Sequence, residues 1–519
     1  MKKLLAVLMA LVMLITGMSL GAFAKAEVTP VIIVSGVGAR PFYMDMGTEN
    51  EKTVYPPQVD FPTVIAHGVF GIALTLVTGD VSIFSKTASY IVSDIFEEFK
   101  CDENGNSKYN VAPITYPLSI DNYEFDYAND VSEIQIAFAV SREVGEENTY
   151  FYNYDWRLDP CSNANGLDKM IENVKSATGS DKVVLVPCSM GGVQTIAYLE
   201  KFGSDDIESI IFMSAAHRGL YFVSEMFIGG VTLNQKDLLT FLSKLITVPD
   251  ENADNLVSLV FDDLGQAAML SSTFLWLDSF LQQVSDDNLW SALREIFGRL
   301  PGMWAFVRPE YFDEAVSFMT DENTGDDLIE KITYYNKNVS AKNDEILTES
   351  KENGVKISIC SHYDKGSIPV TAKASVEGDD LIETPCTSNG ATVALSGEVL
   401  GADYVQAVSC GHNHISVDDK IDASTCLFPE STWFIKGQPH VGVFCDENGV
   451  FNDYADFVAW LATSDTQPTV FANPGYPQFM EADASLKELN PLVAEAEKDY
   501  ATEIIALLGT AVDYIKNNI

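Results

Sequence analysis

The chain of 519 residues is 47% hydrophobic and 21% charged, which excludes a disordered or fibrous polymer and leaves room for a sizeable core. Its 32 Lys plus Arg stand against 75 Asp plus Glu, a net charge of −43. That sign excludes nucleic acid as a partner and argues against polybasic attachment to anionic lipid, because both need clustered cations.

Lys2 and Lys3 precede the apolar run Leu4–Ile15, and Ala22-Phe23-Ala24 forms a small-x-small cleavage site. These features predict a secretory signal peptide over residues 1–24 and an exported, extracellular protein. No later stretch is apolar for long enough to span a bilayer. The eight Cys permit disulfides, but their spacing assigns no pairs. No C-x-x-C pair occurs, so structural zinc is not expected.

The core's first part spans residues 25–216. It opens on the β-branched run Pro30–Val34 and enters Ser35-Gly36-Val37-Gly38. A buried strand leading into a Gly-rich loop suits an oxyanion-binding turn, with the N–H of Val37 as donor. A dinucleotide cradle would need a third Gly opening a helix, and the chain meets Pro41 instead. Residues 61–99 are apolar at helical spacing and predict a helical insertion. Asp102, Asn104 and Asn106 imitate a calcium loop, but Pro113 stands where its closing Glu belongs, so a hairpin turn is expected.

A strand over Thr149–Tyr154 runs into Asp155-Trp156-Arg157-Leu158, and a polar helix is expected over Asn165–Ser176. Val183–Val193 then reads V-V-L-V-P-C-S-M-G-G-V: a buried strand, a sharp turn, and a helix continuing to about Phe202. This junction is how α/β-hydrolases hold a nucleophile. The strained turn lifts Ser189 Oγ clear of the backbone, and the N–H of Met190 supplies an oxyanion donor. Gly191 and Gly192 remove the Cβ atoms that would hold helix and strand apart. Pro187 replaces the first Gly of G-x-S-x-G, where a small residue is the main requirement. Cys188 is expected to be a buried free thiol. The competing reading is an ordinary turn with a capping serine.

Another strand at Ile207–Ser214 completes an alternation that predicts βαβ units and a mostly parallel sheet. Residues 217–350 read as consecutive helices rich in Leu, Phe, Trp and Met, with examples at Lys236–Ile246, Leu270–Val284 and Trp290–Phe297. They predict a helical cap over the site, or else a helical domain with its own core. The core resumes over residues 351–465 with a strand at Val355–Ser361 and a closing helix at Asp453–Leu461. Residues 466–519 read as a helical tail.

A serine needs a histidine base and an orienting carboxylate, in the chain order Ser, acid, His. Of six His, His440 lies in the turn that follows Ser431–Pro439 and precedes the closing helix, where the base belongs. His217 reads as structural, and His362 precedes any credible acid loop. His412 and His414 flank Asn413 in what reads as a polar surface loop and suggest at most an incidental metal contact. For the acid, Asp364 and the pair Asp379-Asp380 compete.

Several ordered segments resemble the lecithin:cholesterol acyltransferase family, which includes lysosomal phospholipase and phospholipid:diacylglycerol acyltransferases. They are Pro30–Gly36, Tyr154-Asp155-Trp156-Arg157-Leu158, Val183–Gly192, Pro301-Gly302-Met303-Trp304 and Gly378-Asp379-Asp380-Leu381-Ile382. The resemblance implies an α/β-hydrolase fold with a large helical cap, Asp379 as the acid, His440 as the base, and Trp304 near the substrate. Asp380 stands where the family's acid loop has Gly. No cofactor or metal is implied. The expected activity is that of a serine esterase on lipid esters, passing the acyl group to water or another alcohol, with transient contact at a lipid interface. Two other readings stand beside it: a catalytically silent binding protein on this fold, and an esterase for short-chain or carbohydrate esters.

Overall fold

A computed structural model of the protein describes residues 28–55, 96–230, 288–366, 376–482 and 486–489. The expected signal peptide, most of the 61–99 insertion, the cap helices expected at 236–246 and 270–284, and the tail beyond 489 lie outside these residues.

The strands begin with β1 (Val31–Val34), β2 (Phe42–Met44), β3 (Lys52–Tyr55), β4 (Val111–Pro113), β5 (Thr149–Tyr152), β6 (Val183–Pro187) and β7 (Ile207–Met213). They continue with β8 (Lys356–Tyr363), β9 (Thr392–Val393), β10 (Ile421–Asp422), β11 (Thr432–Lys436), β12 (Phe479–Ala482) and β13 (Leu486–Glu488). Eight form one sheet in the order β13-β12-β11-β8-β7-β6-β1-β5, while β3-β2-β4 and β10-β9 form small separate sheets. Within the large sheet every pairing is parallel except β12 with β13.

All residues of β1 and β6 are buried, as uninterrupted apolar strands covered on both faces must be. Ile32 and Val34 join Leu167, Ile171 and Ile196 in one apolar layer. Val31 and Ile33 face the opposite layer, with Ile136, Val140, Phe457 and Val458. The first layer is closed by the helices Pro160–Thr178 and Gly191–Phe202, the second by Ser132–Val144 and Asp453–Thr463. The Pro160 helix starts earlier than its polar periodicity suggests, because Asp159 caps it by accepting from Cys161 and Ser162 N–H at 3.2 and 3.0 Å.

Between β7 and β8 the described cap helices include Tyr221–Phe227, Asn288–Ile296, Pro301–Trp304, Phe312–Met319, Asp326–Tyr334 and Asn343–Glu352. Leu300, Trp304, Val307, Phe312 and Leu328 belong to the same apolar cluster as Ile32, Leu185 and Phe212. The described cap therefore shares its core with the sheet rather than building a separate one. Residues 101–107 form the expected hairpin turn, with Asp102 Oδ1 accepting from Asn104 and Asn106 N–H at 2.9 Å each.

Residues 479–488, expected within the helical tail, instead add two strands to the sheet edge, β12 pairing in parallel with β11. Strands this short, next to the turn residues Gly475 and Pro477, carry too little periodicity to register. The overall arrangement is an α/β-hydrolase fold, a mostly parallel sheet flanked by helices. Chain order reverses direction at β1, which has β5 on one side and β6 on the other. A crevice at the carboxyl ends of such strands is where open α/β sheets hold ligands.

Candidate active site

At the end of β6 the backbone turns sharply and Ser189 takes φ 50°, a left-handed conformation rare for a residue with a side chain. Ser189 N–H donates to Met213 O at 3.1 Å and Ser189 O accepts from Ala216 N–H at 2.9 Å, so the strand β7 side holds the turn in place. On the other side, Cys188 N–H donates to Val34 O at 3.0 Å. A Cβ on Gly191 would come within 2.1 Å of Val34 O, which explains why Gly is required there. Pro187 forfeits its donor at the strand's last residue, where a lost ladder bond costs least. Cys188 is the buried free thiol expected.

The expected oxyanion loop leaves β1 beside this turn. Ser35 Oγ donates to Asn153 Oδ1 at 3.1 Å and Ser35 O accepts from Tyr154 OH at 3.0 Å, so the end of β5 braces the loop. A Cβ placed on Gly36 would lie 2.8 Å from Ser189 Cβ and 3.3 Å from Ser189 Oγ, which puts loop and serine in contact. Val37 is partly exposed on this loop, and Met190 is buried at the head of the Gly191–Phe202 helix.

Asp379 and His440, separated by 61 positions, are brought together: His440 Nδ1 lies 2.8 Å from Asp379 Oδ2. The other carboxylate oxygen accepts from Ile382 N–H at 2.7 Å and Leu381 N–H at 3.2 Å. Burial pushes the Asp379 carboxyl up, but the His440 ring and the Ile382 N–H outweigh it and hold it below its ordinary range. For His440 burial pulls down, while Asp379, then Glu133 and Asp380, pull up; the net direction is upward. The carboxylate fixes the proton on Nδ1 and leaves Nε2 as the basic nitrogen. Nε2 is buried and has no hydrogen-bond partner among the described residues.

Asp364 is occupied elsewhere, paired with Lys420 and with Lys436, the latter at 3.4 Å. Asp380 has φ 77°, a conformation that favours Gly and that Asp tolerates, which accounts for a Gly in the family's motif at this place. After His440, Val441 has φ 63°, a strained state for a β-branched residue. The loop is held there by its neighbours. Pro439 O accepts from the buried His362, whose Nδ1 lies 2.9 Å away, and Gly442 O accepts from Ser132 Oγ at 2.5 Å. Burial lowers the His362 ring to a pKa of about 4, so it is neutral. His217 is likewise buried and lowered to about 4 by burial, its Nε2 lying 2.8 Å from Asn389 Oδ1.

The sequence reading missed Glu133. This buried side chain accepts from Gly36 N–H at 3.2 Å, and its charge also acts on His440. Its neighbours Ser132 and Gln135 bond to Gly442 O and to Phe444 N–H, the latter at 3.0 Å. One helix end therefore fastens the oxyanion loop and the histidine loop together. An acidic residue in a first turn is ordinary helix-start chemistry, so nothing in the sequence marks this one out.

Among the described residues, the contacts of Trp304 do not reach the Asp379–His440 pair. Its indole is buried, Nε1 donates to Gly298 O at 2.7 Å, and its ring meets Phe227 edge-on at 5.0 Å. A cavity of about 590 Å³ beside Arg218, Tyr221, Arg308 and Leu427 is lined by none of Ser189, Asp379 or His440. The Tyr154–Arg157 segment has a packing role. Arg157 is fully buried, forked onto Asp155 at 2.9 and 2.6 Å, and donates to Phe99 O and Val111 O at 3.1 and 3.2 Å. Arg157 O in turn accepts from Gly302 N–H at 3.0 Å, which seats the cap.

Residues 145–359 match the family model described as Lecithin:cholesterol acyltransferase. The match takes in Ser189, the Tyr154–Arg157 segment and the described cap helices, and ends in β8, before Asp379 and His440. No curated protein matches the sequence significantly. Among solved structures, similarity extends to the Tle4-Tli4 complex at 10% identity, over 84% of this chain and 97% of that one, with a TM-score of 0.30. It also extends to the serine hydrolase CCSP0084 from the polyaromatic hydrocarbon-degrading bacterium Cycloclasticus zankles. There the identity is 15%, the coverage 37% of this chain and 73% of that one, and the TM-score 0.12. Scores this low reach neither site nor substrate, and the fold rests on the strand order above.

Proposed function

We propose that this chain, LCAT-like over its nucleophile-bearing segment, is an exported serine esterase acting on lipid esters such as phospholipids or acylglycerols. The observation that carries the reading is the Asp379–His440 pair, at the carboxyl edge of the same sheet whose β6 ends in the strained Ser189 turn. In this mechanism Ser189 Oγ attacks the ester carbonyl while His440 Nε2 takes its proton, and Asp379 holds the imidazole tautomer and steadies the imidazolium. The N–H groups of Val37 and Met190 bind the tetrahedral oxyanion. Its collapse expels the alcohol, which receives the proton from His440. Water, activated by the same histidine, releases the acid; another alcohol in that position makes the reaction an acyl transfer.

The lipid class of the substrate is carried over from the family match and from the apolar cap. Export rests on the Lys2-Lys3 and apolar leader pattern. A fluorophosphonate reporter tests the nucleophile. It is expected to label Ser189 in the wild type and to leave Ser189→Ala unlabelled, with p-nitrophenyl ester hydrolysis reduced by several orders of magnitude and the thermal transition within a few degrees. Activity above about a tenth of wild type in Ser189→Ala would sink the assignment, and failure of the wild type to label would favour a silent binding protein. An acyl chain-length series tests the substrate class: steep preference for acetate would reject lipid esters and leave the nucleophile standing.

A further inference from the structure

Between β9 and β10 the chain makes a long irregular excursion that carries Cys410-Gly411-His412-Asn413-His414. The sequence reads as a polar surface loop, yet His414 is fully buried. Its Nδ1 lies 2.6 Å from Gln478 Oε1. The Gln478 amide nitrogen donates to Pro429 O at 2.6 Å and Thr432 O at 3.1 Å, so the oxygen end must face the imidazole. That acceptor draws the ring proton onto Nδ1 and leaves Nε2 with an open lone pair. Nε2 is buried and has no hydrogen-bond partner among the described residues. An orphaned buried acceptor of this kind is destabilising unless something satisfies it.

The side chains around it are those that satisfy a soft Lewis acid. The ligand atoms of Cys410, His412 and His414 all lie within 4.8 Å of one another. Cys410 and His412 are exposed, so small rotations bring them onto a common ion. Glu430 Oε1 lies 3.6 Å from His412 Nδ1, placed as a carboxylate commonly is behind a ligating imidazole. We propose that Cys410, His412 and His414 bind one zinc ion, with water in the fourth position, Gln478 orienting His414 and Glu430 orienting His412. One thiolate and two neutral imidazoles select a borderline-soft ion over calcium or magnesium, which require oxygen ligands. Binding converts the Cys410 thiol to a zinc thiolate and releases its proton to solvent. None of these residues takes part in the proposed ester chemistry. The ion fastens the excursion to the margin of the sheet, because Glu430 lies two residues before β11 and Gln478 directly before β12.

The test uses the full untagged chain stripped of metal. Zinc titration is expected to reach one ion per chain by native mass spectrometry, raise the thermal transition, and protect Cys410 from a thiol reagent. Cobalt in its place is expected to give a thiolate charge-transfer band. Cys410→Ser and His412→Ala, both at exposed positions, should keep the metal-free circular dichroism and weaken zinc binding by on the order of 100-fold or more, with Glu430→Gln losing about 10–100-fold. The proposal is overturned if zinc binds only at millimolar concentration, if Cys410→Ser and His412→Ala bind as the wild type does, or if zinc leaves Cys410 reactivity unchanged.

Discussion

Opposed influences meet at His440. Burial alone would strip its proton, whereas Asp379, Glu133 and Asp380 draw one on, with the buried, neutral His362 on the far side of the loop. Because the net shift is upward from 6.5, the proposed base becomes neutral only above that pH. kcat/KM for an uncharged ester should therefore rise with pH through an acid limb centred above 6.5. Glu133→Gln removes one of the charges that favour the imidazolium, so its limb should move to lower pH; a pH–rate profile of both proteins checks the direction. Asp379→Asn favours the wrong tautomer and is expected to cost about 10⁴ in kcat, as the equivalent change does in a serine protease. Asp364→Asn should stay within a few-fold, since that carboxylate is engaged by Lys420 and Lys436. If Asp364→Asn is the dead variant, the pairing at His440 is not the working one. The sequence left both acids open on residue physics alone, because what separates them is the path of the chain between β8 and β11, which no local pattern records.

Among the segments, the Tyr154–Arg157 stretch is the most recognisable in sequence, and its contacts are those of a brace, with Tyr154 OH donating to Ser35 O and Arg157 tying neighbouring segments together. Its guanidinium joins the end of β5 to Phe99 O and Val111 O, on the segments that lead to and form β4. Arg157→Ala should destabilise the protein by about 3–5 kcal/mol, because Asp155 would keep a nearly buried charge without its partner. Arg157→Lys should recover little of it, since a point charge cannot reproduce the fork. Denaturant unfolding gives the loss, and fluorophosphonate labelling per folded molecule should remain near wild type. The Ser132–Val144 helix shows the opposite relation. Its start looks like any acidic first turn, yet Ser132, Glu133 and Gln135 reach two separate loops. Side chains directed across an element boundary leave no periodic trace, which is why the strand–turn–helix around Ser189 was legible and the contacts of this helix end were not.

Across the molecule, the parallel sheet was legible because β1 and β6 are unbroken apolar runs and the strands around them alternate with helices of ordinary length. The edge strands β12 and β13 were not, being only 4 and 3 residues long. Trp304 tests how the cap and core divide their work. With its indole enclosed by Phe227, Phe312 and the Gly298 carbonyl, Trp304→Ala should lower stability by about 3–5 kcal/mol and slow short and long esters alike. Unfolding curves and a chain-length series measure both, and a loss confined to long chains would return the indole to the acyl pocket.

The state of the cysteines has a practical consequence for how this protein can be made. All eight are free thiols, and all but Cys410 are buried or half-buried. Burial raises Cys101, Cys386 and Cys426 to about 12 and pushes Cys161, Cys188 and Cys360 upward as well, leaving almost no reactive thiolate among them. A chain without disulfides needs no oxidative step to fold, so production in a reducing cytosol and recovery from denaturant without a redox shuffle are expected to yield the native protein. Reducing agents in a buffer would leave its architecture untouched, while an oxidising medium would find one fully exposed thiol, Cys410, on a single loop.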